Sequence, residues 1–244
     1  MRETIKWWLF PGLNLHARLR GQTLPAYFGQ PVNGEERRVL DAGCGNGMLA
    51  YHSYLKGNTV LGVSIKEGEV VRNRTLFHKH LGVPSDRLNF EVQNLYDLDE
   101  REDKFDEIIC TEVLEHIVND AAVCRSFYDL LKPGGILHVC CPNADHPDHK
   151  TGPIDEHETG GHVRDGYTEE SYRKLLEPLG FEIEEIRGLG GPVRQTINKR
   201  ITNAQRFGFL AGAAVYAATR PMHNMDGTAE PKLGYSLYVR AKKA

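Results

Sequence analysis

Residues 37–55 read RRVLDAGCGNGMLAYHSYL. A short apolar run ends in the acid Asp41. Glycines then take positions 43, 45 and 47, ahead of a segment of helix-forming residues. Glycine at the end of a strand weakens that strand and costs backbone entropy. Three at alternate positions mark a place where something must come close to bare main chain. The pattern on either side says where in a fold that place lies. GMLAYHSYLKGN (47–58) reads as a helix closed by Gly57. TVLGVSI (59–65), LNFEVQN (88–94), FDEIICT (105–111), ILHVCCP (136–142), FEIEEIRG (181–188) and YSLYVRA (235–241) read as strands. Helical spacing fills 67–82, 120–131 and 168–180 between them. Short, unbroken apolar strands alternating with helices predict a parallel sheet covered on both faces, the doubly wound α/β architecture. In such sheets ligands lie beyond the carboxyl ends of the strands, which is where the three glycines fall if VLDA is the first strand.

The totals bound the answer. At 244 residues the chain supports one sizeable core. A net charge of -3, with acids and bases mixed along the chain, offers no electrostatic footprint for nucleic acid. No apolar run reaches the length of a membrane span. The start, MRETIKWWLFPGLNLHARLR, has no long apolar stretch followed by a small-residue cleavage site, so it reads as a structured extension. The five cysteines, Cys44, Cys110, Cys124, Cys140 and Cys141, are odd in number and form no C-x-x-C pair. That pattern fits buried free thiols in a reducing, cytoplasmic compartment. Two segments fall outside the alternation. Residues 1–36 form an extension, and 191–232 form an insertion between a core at 37–190 and a final strand in 233–244. The insertion carries the apolar stretch FLAGAAVYAA, too short to cross a bilayer. A wall or lid over a substrate site is preferred for it over plain packing, and a membrane-surface contact is not favoured.

With VLDAGCGNG at 39–47, the chain resembles the class I S-adenosylmethionine-dependent methyltransferases. The resemblance continues in order and spacing through GVSIK (62–66), QNLYDL (93–98), FDEIICTEVLEHI (105–117) and LLKPGGILHVCCPN (130–143). It implies a Rossmann-like, seven-stranded, mostly parallel sheet with an antiparallel last strand, and S-adenosylmethionine as cofactor. It implies that Gly43, Cys44, Gly45 and Gly47 bed the ligand and that Asp41 acts near its amino group. Ser64 and Ile65 at the end of the second strand would meet the ribose, with Asn94 and Leu95 flanking the adenine. Thr111 and Glu112 would lie near the methionine portion. Ser64 departs from the pattern, because relatives usually place Asp or Glu there. A hydroxyl cannot offer a charged bidentate acceptor, so Glu67, Glu69 or Gln93 are candidates to substitute for it.

A hydroxyl acceptor needs a base. The polar loop 142–168 follows the fifth strand and carries His146, His149, His157 and His162. GGHVRDGYT within it is similar to a segment of methyltransferases from sugar and natural-product pathways. That similarity selects His162 as base and Arg164 as an orienting or structural cation, with bracing of the next helix as the competing role. His116 is the second catalytic candidate. The stretch EVLEH, 112–116, resembles the E-x-x-E-H run that some ubiquinone-pathway O-methyltransferases use for a divalent cation. The same letters hold a turn in metal-free relatives, and the loop's histidine spacing matches no finger or H-E-x-x-H pattern. No metal is assigned. Aromatic residues of the two extra segments, among them Trp7, Trp8, Phe10, Phe207 and Phe209, are candidates for lining an acceptor pocket, with ordinary packing preferred for any single one.

The expectation is therefore an enzyme that methylates a small-molecule hydroxyl. The alternatives are a lipid or quinone methyltransferase docked on a membrane surface and a non-catalytic S-adenosylmethionine-binding scaffold. CTEVLEH stands where an N-P-P-Y motif would follow the fourth strand, which argues against amino methylation of bases or glutamine.

Overall fold

A computed structural model describes residues 20–147, 149, 152, 154–223 and 225–244. Trp7, Trp8, Phe10 and the rest of the extension before residue 20 lie outside the described residues, as does Asp148. The elements run β1 (Arg38–Ala42), α1 (Met48–Leu55), β2 (Thr59–Ser64), α2 (Glu67–Arg74), β3 (Leu88–Val92), β4 (Phe105–Thr111), α3 (Asp120–Leu130) and β5 (Leu131–Pro142). There follow α4 (Glu169–Leu176), β6 (Phe181–Leu189), α5 (Pro192–Gln205), α6 (Phe209–Thr219), β7 (Thr228–Ala229) and β8 (Ser236–Lys243).

The strands form a single sheet in the order β3-β2-β1-β4-β5-β8-β6-β7. Strands β1 to β5 pair in parallel, and β8 inserts antiparallel between β5 and β6. This is the doubly wound, mostly parallel sheet expected. It has one strand more than seven, the two-residue β7, which pairs antiparallel with the last two residues of β6. Its TA dipeptide is too short to leave a period-two pattern in the sequence.

Alternation along each strand explains why the strands read as continuous apolar runs. Leu40, Ile108 and Cys141 point into the core beneath α3 and α4. Their neighbours Val39, Ile109 and Cys140 point into the opposite core, with Phe77, Phe90 and Leu24. Both faces are thus covered, and Leu40, Ile108, Ile109, Cys110 and Val139 at the centre are all buried. All five cysteines are free and buried.

Residues 20–37 cross one face of this sheet. Arg20 reaches Glu112 just past the end of β4. Phe28 stacks edge-on to His138 in the middle, and Gly29 N donates to Glu107 near the start of β4. Glu107 is fully buried. Burial alone would raise its carboxyl, but contact with His138 at 3.1 Å and the Arg37 guanidinium at 2.8 Å outweighs it and holds it at about 2. A buried carboxylate bonded to Gly29 and Arg37 of this segment and to His138 of β5 fixes the segment's path over the core.

Candidate active site at the carboxyl edge of the sheet

The glycine loop between β1 and α1 sits where the switch-point rule places a ligand. Gly43 N and Cys44 N both donate to Val63 O of β2, at 2.9 and 2.8 Å, which turns the chain sharply out of β1. The glycines are required for different reasons. A Cβ on Gly43 would lie 2.3 Å from Val113 Cγ2, and one on Gly47 would lie 2.7 Å from the Phe77 ring. Among the described residues a Cβ on Gly45 would meet nothing within 4 Å, although its φ of +52° lies in the left-handed region. Gly43 and Gly47 are thus demanded by packing, while Gly45 exposes main chain to an open cradle. Asn73 of α2 secures the loop from behind: its amide donates to Gly45 O at 2.9 Å. No motif in the sequence marks Asn73 for this role. The Cys44 side chain turns inward toward Asn73, so Cys44 offers a ligand only its backbone.

Asp41 is buried and accepts from Ala50 N of α1 at 3.0 Å. Burial pushes its carboxyl up to about 7, and the helix amide only partly offsets this. A partner cation at this end of the loop would restore its charge.

At the end of β2, Ser64 does not stand alone. Its hydroxyl donates to Glu69 Oε2 at 2.8 Å and accepts from Lys66 N at 3.1 Å. The first turn of α2 therefore sets a carboxylate directly against Ser64 at the end of β2. Ile65 beside it is 66% exposed, an apolar side chain open to an incoming ring. Across the cradle, Asn94 caps the short 3-10 turn by accepting from Tyr96 N, and Leu95 is buried.

Just past β4 the backbone turns sharply at Glu112, whose φ of +55° is left-handed for a residue with a side chain. Such strain costs about 1–3 kcal/mol and concentrates at functional sites. Thr111 immediately precedes it at the end of β4, and Glu112 Oε2 lies 3.2 Å from the Arg20 guanidinium. Residue 21 packs against Met48 and His52 of α1, so Arg20 stands at the rim of the glycine loop. Sequence reasoning passed over Arg20, because no local motif distinguishes it.

The loop after β5 returns to the same edge. Val163 N donates to Glu115 O at 2.8 Å, which lays His162 against His116 with ring centroids 4.7 Å apart. His116 Nδ1 donates to Gly161 O at 2.8 Å, and its Nε2 lies 4.0 Å from Glu115 Oε1. Burial, followed by His116, lowers the His162 imidazole below its ordinary value, so it is neutral in the physiological range. Glu115 is fully buried, and among the described residues neither carboxylate oxygen has a hydrogen-bond partner. Burial and then the charge of Glu112 push it up to about 8. Among the described residues, ligand atoms of Glu115, His116 and His162 converge within 4.8 Å of one another.

The other loop residues are otherwise engaged. Arg164 bonds Asp120 and the carbonyls of Ile117 and Val118, bracing the start of α3, where Tyr167 also donates to Asp120. His146 is buried against Gln195 of α5 at 2.8 Å, and His149 bonds Asn143 O. An open groove lined by Glu184, Arg187 and Glu230 follows the edge formed by β6 and β7. It lies on the far side of the sheet from β1 and takes no part in this site.

The methyltransferase domain family matches residues 14–186. The mitochondrial ubiquinone biosynthesis O-methyltransferase of Rattus norvegicus is 28% identical over 172 residues, covering 66% of this chain and 48% of that one. The ubiquinone biosynthesis O-methyltransferase of Xanthomonas euvesicatoria is 36% identical over 107 residues, 43% of each chain. The chain spans about half the length or less of these curated relatives. Among solved structures, an S-adenosylmethionine dependent methyltransferase from Mesorhizobium loti superposes with TM-score 0.63 at 20% identity, covering 93% of this chain and 99% of that one. The (4+2)-cyclase SpnF gives 0.62 at 20% identity, covering 93% and 81%. At such identities the likeness is one of fold, and the cyclase illustrates that the fold does not by itself assign a reaction. The family match spans well over half the chain and covers the glycine loop, the Ser64–Glu69 pair and the Glu112–His116 turn: this chain belongs to the class I S-adenosylmethionine-dependent methyltransferases.

Proposed function

We propose that the protein transfers a methyl group from S-adenosylmethionine to a hydroxyl oxygen of a small-molecule acceptor. The observation that carries the reading is the cradle over Gly45: left-handed main chain, open space where a side chain would be, and groups of suitable chemistry around it. Glu69, oriented by Ser64, is the acceptor for ribose hydroxyls. Ile65 supplies an apolar face for the nucleoside, and Asp41 an anion for the amino group. Arg20 is a cation matched to the cofactor's carboxylate. The cofactor, when bound, supplies a methyl group made electrophilic by a positively charged sulfur.

The chain's task is then alignment and proton removal. Fixing the acceptor in line supplies much of the rate, since positioning alone reaches effective molarities of about 10^5 M or more. His162 would take the acceptor's hydroxyl proton, leaving that oxygen to receive the methyl group the cofactor would supply. His116, locked by Gly161 O, holds His162 edge-on in a fixed attitude. The test is product analysis: S-adenosylhomocysteine release that depends on a phenolic or alcoholic acceptor, and that stops when the hydroxyl is blocked. Release that persists with the blocked acceptor removes the oxygen assignment.

A second reading of the same cluster is favoured by Glu115, a buried carboxylate with no hydrogen-bond partner among the described residues. Glu115, His116 and His162 would hold a divalent cation, whose chemistry there is to lower the pKa of the acceptor hydroxyl. Chelation separates the two. Activity that survives chelation assigns His162 as base; activity lost and restored by zinc or manganese, which suit imidazole and carboxylate ligands, assigns the cluster to a cation.

A further inference from the structure

The α5–α6 hairpin is built as a platform. Ile197 and Ile201 of α5 pack on Val215 and Tyr216 of α6. The buried Arg194 ties the hairpin to His223 O and to Gln22, and Asp226 accepts from the first amides of α5. Yet α6 buries only Gly212 completely. Its exposed residues Phe209, Leu210, Ala214, Ala217 and Ala218 fall on one side of the helix, and none is polar. Phe207 at the hairpin turn is 88% exposed and Leu210 82%. A lid or wall over the reaction site would have its apolar side turned inward; here that side faces solvent.

Charge identifies what covers it. From residue 186 to residue 225 the chain carries no Asp or Glu, although its net charge is -3. The same stretch holds Lys199, Arg200, Arg206 and Arg220, all exposed. An exposed apolar stripe on a helix bounded in sequence by Arg206 and Arg220, with Lys199 and Arg200 on the helix packed beside it, matches an anionic bilayer surface. With 11 residues, α6 is about 16 Å long against about 30 Å of hydrocarbon, so it can lie in the interface and not cross it. Among the described residues no helix is long and apolar enough to span a membrane.

We propose that the α5–α6 hairpin docks the protein on anionic membrane surfaces, with Phe207, Phe209 and Leu210 inserted among the lipids and the flanking cations against the headgroups. The docking goes beyond the methyl-transfer reading and stands or falls without it. Its position has a consequence for that reading. The hairpin leaves β6 at the sheet's carboxyl edge, and Gln195 bonds His146 of the loop that carries His162, so a membrane-dissolved acceptor would be delivered beside the reaction site.

The experiment is co-sedimentation of the full chain with vesicles of phosphatidylglycerol and phosphatidylcholine in equal parts, against vesicles of phosphatidylcholine alone. The bound fraction should be high on the anionic vesicles and should fall with salt. Phe207→Ser, Phe209→Ser and Leu210→Ser together, all at exposed positions, should lower the partition coefficient about tenfold or more. Arg200→Glu with Arg206→Glu should remove the preference for anionic lipid. Light scattering without vesicles reads the mass of the same variants. Absence of wild-type binding, binding indifferent to both sets of substitutions, or a dimer that the serine variant dissociates while vesicles bind nothing would each overturn the proposal.

Discussion

Replacing Gly45 by alanine separates the backbone's folding role from its ligand role. The substitution forces a side-chain residue into φ +52°, which costs about 1–2 kcal/mol. Among the described residues nothing lies within 4 Å of the added carbon, so they add no packing term in the free protein. For a chain of this size that corresponds to a fall in Tm of about 3–6 °C. Gly43→Ala should cost more, since its Cβ would sit 2.3 Å from Val113 Cγ2 and one of them must move. Pairing Gly43→Ala with Val113→Ala should recover part of that loss. Affinity should order differently. The Gly45 Cβ projects into the cradle, so calorimetric titration with S-adenosylhomocysteine should show at least about a tenfold weaker Kd, equivalent to about 1.4 kcal/mol. A Gly45→Ala protein that melts a few degrees lower but binds within twofold of wild type would refute the assignment of this loop as the ligand's bed.

Three further outcomes follow from the site. Glu69→Ala should weaken S-adenosylhomocysteine binding about tenfold, through loss of a charged acceptor, whereas Ser64→Ala should cost only a few-fold; calorimetry on both tests whether the acid is supplied from α2. His162→Ala should lower kcat by about 10^2-fold or more and leave cofactor affinity unchanged. Because its imidazole is shifted down, wild-type kcat/KM should rise with pH through a midpoint below about 6.5 and then level off; a midpoint above that value contradicts the base assignment. Glu115→Gln should stabilise the metal-free protein in alkaline buffer. The folded carboxyl is raised to about 8 from 4.5, so the native state loses stability as pH climbs through that window, and the glutamine variant should not. Equal pH dependence of Tm in the two proteins would show that Glu115 is not the strained group.

The sheet was legible because its signals are local. Continuous apolar runs such as FDEIICT and glycine stops at 57, 82 and 180 mark elements within a few residues of their bounds. The glycine loop was legible for the same reason. The remainder depends on contacts far apart in sequence. Arg20 meets Glu112 across 92 positions, and Asn73 reaches the Gly45 carbonyl across 28, neither announced by any spacing. For Ser64 the sequence offered Glu67, Glu69 and Gln93 as charged or polar substitutes, and only the fold selects Glu69 as the one its hydroxyl bonds. The juxtaposition of His116 and His162 needed the hydrogen bond from Val163 N to Glu115 O, a pairing that no periodicity encodes. The hairpin's apolar side was visible in composition, but the direction it faces was not. FLAGAAVYAA is apolar all round, and only the fold decides which side stays exposed.

The decisive measurement is a crystal structure of the full chain with S-adenosylhomocysteine. The account predicts the amino-acid tail against the main chain of residues 43–45, the ribose hydroxyls on Glu69, and the sulfur facing the His116–His162 pair. A ligand seated elsewhere, or one in this cradle with its sulfur turned away from those histidines, would contradict it.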